Sequence, residues 1–295
     1  GASCLQAKSR FQAIPETCSH CSDTTRSDDA ALADRFADLG VPLISGMQNA
    51  LAAVRALHDH GLVARFRVPE PPHLRAGHWC RALRGRDWIG EAEGYALLSD
   101  YGISCPSHRL VETKDEALLA ARQLPGSVVL KTAQLGLSHK SDNGGVKTGL
   151  ATASAVADAF DDLTARFEGS VLVAQMIAPG SEWSLGAIND PDFGPAVRIA
   201  PGGIFVDLLD EHVLLMAPFS EKEAMAAIGN LQAAKLLSGF RGQPVFAVQS
   251  LADAAAALSR LAWDLRDILV EVEINPIIVN TEKATAVDAV IHACP

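Results

Sequence analysis

No apolar run in these 295 residues approaches the roughly 20 that a membrane-spanning helix needs. The N-terminus, GASCLQAKSR, lacks the charged-then-apolar order of a signal peptide and has no initiating Met. A processed chain or a fragment is therefore expected. Positive charge is also scarce: 25 Lys and Arg stand against 35 Asp and Glu, a net charge of -10. That excludes general nucleic-acid binding, which needs basic surface to meet phosphates, and leaves room for a local cationic pocket. Of the 6 cysteines only Cys18 and Cys21 are closely spaced, and no second ligand pair lies at recognisable spacing. Free thiols in a reducing, cytoplasmic setting are expected rather than a zinc site. The G-x-x-x-x-G-K-[ST] order of a Walker A loop is missing too.

What is present is an ordinary soluble composition, 48% hydrophobic and 20% charged, over a length that suits about two domains. Residues 1–28 are polar and aperiodic, and a helix opens after Ser27 or Asp28 as cap. A short buried strand (LGVPLIS) and an amphipathic helix (Met47–Gly61) come next, the tail of a doubly wound α/β domain. The prolines of RVPEPPHLRAG favour extended chain and mark a linker, expected over residues 67–87. From Trp88 the pattern becomes α+β with antiparallel strands, unlike the strict alternation of a parallel sheet. It includes one helix over SEKEAMAAIGNLQAAKLLSG, another over SLADAAAALSRLAWDLR, a strand in GGIFVDLL, and a closing pair of strands around NTEK.

Three places carry chemistry. In KTAQLGLSHKSDNGGVKTGL, Lys131 ends a β-branched strand and Gly144 and Gly145 permit a tight turn. A lysine point charge and bare backbone N–H groups together suggest a phosphate clamp; a plain hairpin turn with an exposed lysine is the alternative. In the C-terminal hairpin, Glu273 and Asn275 share one strand face. A loop of two or four residues pairs Val279 with Ala284 and sets Asn275 opposite Asp288, whereas three would break that register. Three oxygen-bearing side chains among apolar strands make a Mg²⁺ site, or else a solvent-facing polar patch. In APGGIFVDLLDEHV, Asp207 faces a nucleotide or a second metal, or caps a turn.

Read together, VVLKTAQLGLSHKSDNGGVKTGL, NDPDFGPAVRIAPGGIFVDLL, LLSGFRGQP and EINPIIV…AVDAVI resemble, in order, signatures of the ATP-grasp region of ADP-forming acyl-CoA synthetases. These are the acetyl-CoA-forming relatives of succinyl-CoA synthetase. The match runs from about Trp88 to Ile291, and DLGVPLISGMQNALAAVRALHDHG resembles the end of the CoA-ligase domain that precedes it in fused members. The resemblance implies an ATP-grasp fold of two α+β subdomains over residues 88–295, after the C-terminal remnant of a flavodoxin-like CoA-ligase domain over residues 1–66.

It also implies roles. Lys131 would hold nucleotide phosphates under a loop containing Gly144 and Gly145, with Gln175, Met176 and Glu182 near the adenosine. Asn275 and Asp288 would bind Mg²⁺ with Glu273 close by. His139 matches a histidine that would carry phosphate between sites, or stands as a structural imidazole; a neutral imidazole can attack a phosphoryl group. The implied reaction joins a carboxylic acid to CoA with ATP giving ADP and phosphate, through phosphohistidine and acyl phosphate. A CoA-binding domain or subunit would be the partner, and an oligomer is expected. The rival reading is a non-catalytic regulatory module fused to or partnered with an acyltransferase. Two departures bear on it: APGG stands where the family has GLGG, and Asp207 stands where Glu is usual.

Overall fold

The computed structural model describes residues 47, 49–55, 73–136, 140, 143–203, 211–239, 242 and 244–294. The chain divides into two compact units between Pro71 and Pro72. The described helices of the second unit are α1 (Ala76–Leu83), α2 (Glu91–Asp100), α3 (Lys114–Gln123), α4 (Ala153–Arg166), α5 (Glu221–Gly229), α6 (Ala234–Leu237) and α7 (Val248–Asp264). Its strands are β1 (Trp88–Ile89), β2 (His108–Val111), β3 (Val128–Thr132), β4 (Val146–Leu150), β5 (Val171–Gln175) and β6 (Ser181–Asp190). They continue with β7 (Gly194–Pro201), β8 (Val213–Met216), β9 (Leu269–Val279), β10 (Ala284–Ala286) and β11 (Ala289–Ala293).

Two antiparallel sheets result. The smaller runs β2–β5–β3–β4; the larger runs β1–β11–β9–β6–β7–β8, with β10 beside the far end of β9. Each sheet is covered on one face by helices. Capping side chains start those helices: Thr113 with Glu116 at α3, and Ser220 with Glu223 at α5, satisfy N–H groups that a helix start leaves open. Helices α3 and α4 bury Ala117, Val156, Phe160 and Leu163 on the smaller sheet. Helix α7 lays Leu251, Ala255, Leu258 and Ala262, spaced three and four apart, on the larger one. Each such leucine contributes about 1.5–3 kcal/mol by leaving water.

Two expectations need correction, and one strand was not expected. The linker does not extend to residue 87, because α1 forms within it and buries Trp79 and Leu83. Ahead of α1, the Asp264 carboxylate accepts from the His73 N–H at 2.9 Å, and it also accepts from the Tyr101 hydroxyl at 3.4 Å and the Arg260 Nε at 3.2 Å. The single helix expected over residues 220–239 is broken into α5 and α6. Asn230 caps the first, and the Glu211 carboxylate accepts the Gln232 and Ala233 N–H groups where the second begins. The strand β8 carried no alternation that marked it, and it pairs along β7. The strand expected in GGIFVDLL falls mostly outside the described residues.

Candidate functional site

Helix α2 touches both sheets, packing on β11 and on β2. Its first residue, Glu91, is 4% exposed. A carboxylate so buried requires partners, and it has three. Glu91 Oε1 accepts from Lys131 Nζ at 2.6 Å and from the Tyr95 hydroxyl at 2.6 Å, while Oε2 accepts from Lys140 Nζ at 2.7 Å. Burial alone would push the Glu91 carboxyl up; the two ammonium groups outweigh it and hold it below the ordinary value. Burial, then the Glu91 charge, pushes the Tyr95 phenol well above its ordinary value.

The C-terminal hairpin meets this cluster from the other side. Val279 pairs with Ala284 and Ile274 with Ala289, so Asn275 stands across from Asp288 in the register that a two- or four-residue loop requires. Between those pairs the buried positions change parity, from Val272 and Ile274 to Ile277 and Val279. The partner is interrupted at the same place, with Val287 and Asp288 between β10 and β11. The Val287 carbonyl accepts from Lys131 Nζ and lies 2.7 Å from the Tyr95 hydroxyl, whose single proton goes to Glu91. Lys131, at the end of β3, thus ties the smaller sheet to the hairpin of the larger one.

Asp288 is the next residue along, and its Oδ1 is buried with no hydrogen-bond partner in the chain. Burial, then the Glu91 charge, raises its pKa above the ordinary carboxylate value; Lys131, Lys140 and the Ala289 N–H offset only part of that. Asn275 donates its amide to Glu273 Oε1 at 3.2 Å, which leaves the Asn275 carbonyl oxygen unspent by that bond. Among the described residues no three His, Cys, Asp or Glu side chains surround a common point. An orphaned buried carboxylate oxygen, on a residue that stands across the ladder from an amide side chain, nevertheless suits Mg²⁺, which takes one or two protein oxygens and keeps water or phosphate elsewhere.

At the glycine turn the Gly145 N–H is engaged within the chain. The Gly145 N–H donates to the Lys140 carbonyl at 2.7 Å, and the Gly145 carbonyl accepts from the Thr132 N–H at 2.9 Å. A Cβ on Gly145 would sit 2.9 Å from Thr132 Cγ2 and 3.1 Å from the Lys140 carbonyl. Its bareness therefore lets the loop close onto β3 and pins Lys140. The carbonyls of Asn143 and Gly144 accept from Arg166 at 2.7 and 3.4 Å.

In APGG, Ala200 and Pro201 lie within β7, paired to Ser184 and Trp183. The departure from the family falls on ladder positions, and the two glycines after them are kept. Gly203, at φ +60°, lies against Glu182: a Cβ there would be 2.6 Å from Glu182 Oε2. Gln175 and Met176, at the end of β5, donate their N–H groups to the carbonyls of Ser107 and Ser127. His139 and Asp207 lie outside the described residues. Sequence reasoning missed Glu91, Tyr95 and Lys140. Glu91 and Tyr95 stand four apart at a helix start, and Lys140 sits inside the quoted signature; nothing in one sequence marks them as buried.

Residues 81–293 match the ATP-grasp domain family, and the chain belongs to it. The 4-hydroxybutyrate–CoA ligase [ADP-forming] of Nitrosopumilus maritimus is 34% identical over 261 residues, 83% of this chain and 37% of the relative. The β subunit of acetate–CoA ligase [ADP-forming] I from Pyrococcus furiosus is 32% identical over 68% of this chain and 89% of the subunit. The chain thus spans little more than a third of the first relative and most of the second. Acetyl-coenzyme A synthetase 1 of Ca. Korarchaeum cryptofilum, solved with coenzyme A and Ca-AMPCP, shares the fold at a TM-score of 0.69 and 32% identity, over 75% of this chain and 99% of that one. The first two relatives are named as ADP-forming ligases, which favours a ligase over a regulatory module.

Proposed function

We propose that this chain is the nucleotide-binding part of an ADP-forming acid–CoA ligase, turning acid, CoA and ATP into acyl-CoA, ADP and phosphate. The observation that carries it is the meeting, at one seam, of a buried two-lysine cluster with the orphaned Asp288 oxygen. One carboxylate between two ammonium groups leaves net positive charge for a phosphate chain. Asp288 and Asn275, with Glu273 beside them, would hold Mg²⁺, which neutralises the phosphates. Glu182, Gln175 and Met176 would line the adenosine. His139 would accept the phosphoryl group and pass it toward the acid, whose acyl phosphate CoA then attacks. Residues 1–66 would be the end of a CoA-ligase domain, and the acid- and CoA-binding parts would lie on a partner domain or subunit. No helix among the described residues is long and apolar enough to cross a membrane.

Calorimetric titration of the chain with ADP and Mg²⁺ tests this. Binding that collapses with EDTA and in Asp288→Ala is expected; heat unchanged by both would overturn the metal–nucleotide site. Gly203→Ala supplies a narrower test. The left-handed backbone and the Glu182 contact make any Cβ costly, by about 1–3 kcal/mol, and Glu182 must move. A fall in MgADP affinity of about fivefold or more is expected, and unchanged affinity would remove Glu182 from the adenosine pocket.

A further inference from the structure

We propose that Arg198 is the anion-binding residue of a separate phosphate subsite, on the side of the Mg²⁺ ligands away from the adenosine. It takes the terminal phosphoryl group as that group leaves the nucleotide, and inorganic phosphate in the reverse direction. The inference rests on the nucleotide reading above and deepens it by giving the transferred group a place.

Arg198 is the one Lys or Arg in the described strands of the larger sheet. It stands in β7 between Val197 and Ile199, both buried in the core, so its side chain leaves from the opposite face. Gly186 pairs with Arg198 on one side and with Glu273 on the other, which sets the three in one line across β7, β6 and β9 on that exposed face. Two strand spacings put the Arg198 and Glu273 backbones about 10 Å apart. The floor between them is bare: a Cβ on Gly186 would meet only the Val272 carbonyl, at 4.0 Å. The result is a trough with a cation on one wall and a carboxylate on the other.

The position of the trough in the sheet points to its ligand. Glu182, where the adenosine would lie, pairs with Ile278. Along β9 toward its start, Asn275 comes next, with Asp288 across from it, and then Glu273 at the level of Gly186 and Arg198. The order is adenosine, metal ligands, trough. A phosphoryl group in transfer lies roughly in line between its leaving and attacking atoms, so it departs from the nucleotide on that far side. There it meets Glu273 and, two residues on, Glu271, exposed carboxylates whose charge repels a phosphate. Arg198 supplies the compensating charge, and its planar fork matches two phosphate oxygens at once. Among the described residues no hydrogen bond or ion pair holds the guanidinium elsewhere.

The test titrates inorganic phosphate into the full chain saturated with MgADP, and records a melting temperature for each variant. Arg198→Met is expected to weaken phosphate binding about tenfold or more and to leave MgADP affinity within about twofold. Arg198→Lys, which keeps the charge and loses the fork, should recover part of the loss. Gly186→Leu fills the trough and keeps both charges. Its backbone is not left-handed and the space above it is open, so the melting temperature should hold while phosphate binding falls as in Arg198→Met. Equal phosphate affinity in the parent and Arg198→Met overturns the subsite, as does a MgADP-loaded parent that takes up no phosphate. Loss of MgADP together with phosphate in Arg198→Met places the residue on the nucleotide and overturns a separate subsite. Acetate that binds in an Arg198-dependent way where phosphate does not makes the trough a carboxylate site and overturns the phosphoryl assignment. A parent chain that does not bind MgADP brings down the nucleotide reading itself, a distinct outcome.

Discussion

Lys131→Met is expected to melt about 6–12 °C below the parent chain. The change leaves Glu91 almost fully buried with one cation instead of two and strips the Val287 carbonyl of a charged donor. Removing one partner of a buried ion pair costs about 3–5 kcal/mol, and the lower end applies because Lys140 and Tyr95 remain. At about 2–4 °C per kcal/mol for a domain of this size, that range of shifts results. Its pH dependence is fixed by sign. The folded Glu91 carboxyl titrates below its ordinary 4.5, so the stability it confers is fully present above that value. The gap between parent and variant should stay constant from neutrality to about pH 5 and close as the pH falls further. Melting followed by circular dichroism across that range checks both magnitude and slope. A gap that widens in acid would mean that Glu91 is not the group being stabilised.

Asp288→Asn is expected to move stability and binding in opposite directions. The folded Asp288 carboxyl is raised above its ordinary 3.8, so ionising it opposes folding. The native state holds its advantage below that value and loses it as the pH rises through the folded pKa. A neutral side chain of the same shape removes the penalty. The variant should therefore melt a few degrees higher than the metal-free parent at pH 8, with the difference gone below about pH 4. MgADP affinity should fall about tenfold to a hundredfold with the loss of a charged ligand. Melting with EDTA, and again with MgADP, separates the two effects, since a ligand that binds only the folded state raises the parent's melting temperature. A variant that melts lower without metal would show that the Asp288 charge stabilises the chain after all.

Much of this arrangement is legible in the sequence, and the parts that are not share a cause. The β9–β10 register comes from counting outward from NTEK, because a period of two leaves few choices once the loop length is set. Helices α3, α4 and α7 are readable from caps and apolar spacing. The break between α5 and α6 is not, because it depends on Glu211, distant in sequence and adjacent in space. Lys131 is legible as a cation at a strand end. Its counter-ion is not: a glutamate opening a helix reads as an ordinary complement to the helix dipole. Only the sheets closing over α2 turn Glu91 into a buried anion, and the same closure brings Lys131 to it. The glycine pair is legible as a tight turn, yet that the Gly145 N–H meets a carbonyl is decided by how near the loop lies to Thr132.

The chain holds 2 tyrosines, Tyr95 and Tyr101, and each hydroxyl is engaged by a buried carboxylate. Burial and those carboxylates raise both phenols. Neither can form tyrosinate while the fold around Glu91 and Asp264 stays shut. Alkaline absorbance of the protein is therefore silent until the structure opens, and then reports the two moorings: Tyr95 for the seam between the sheets, Tyr101 for the hold of Asp264 on the residues ahead of α1. Single Phe replacements divide that optical signal between them.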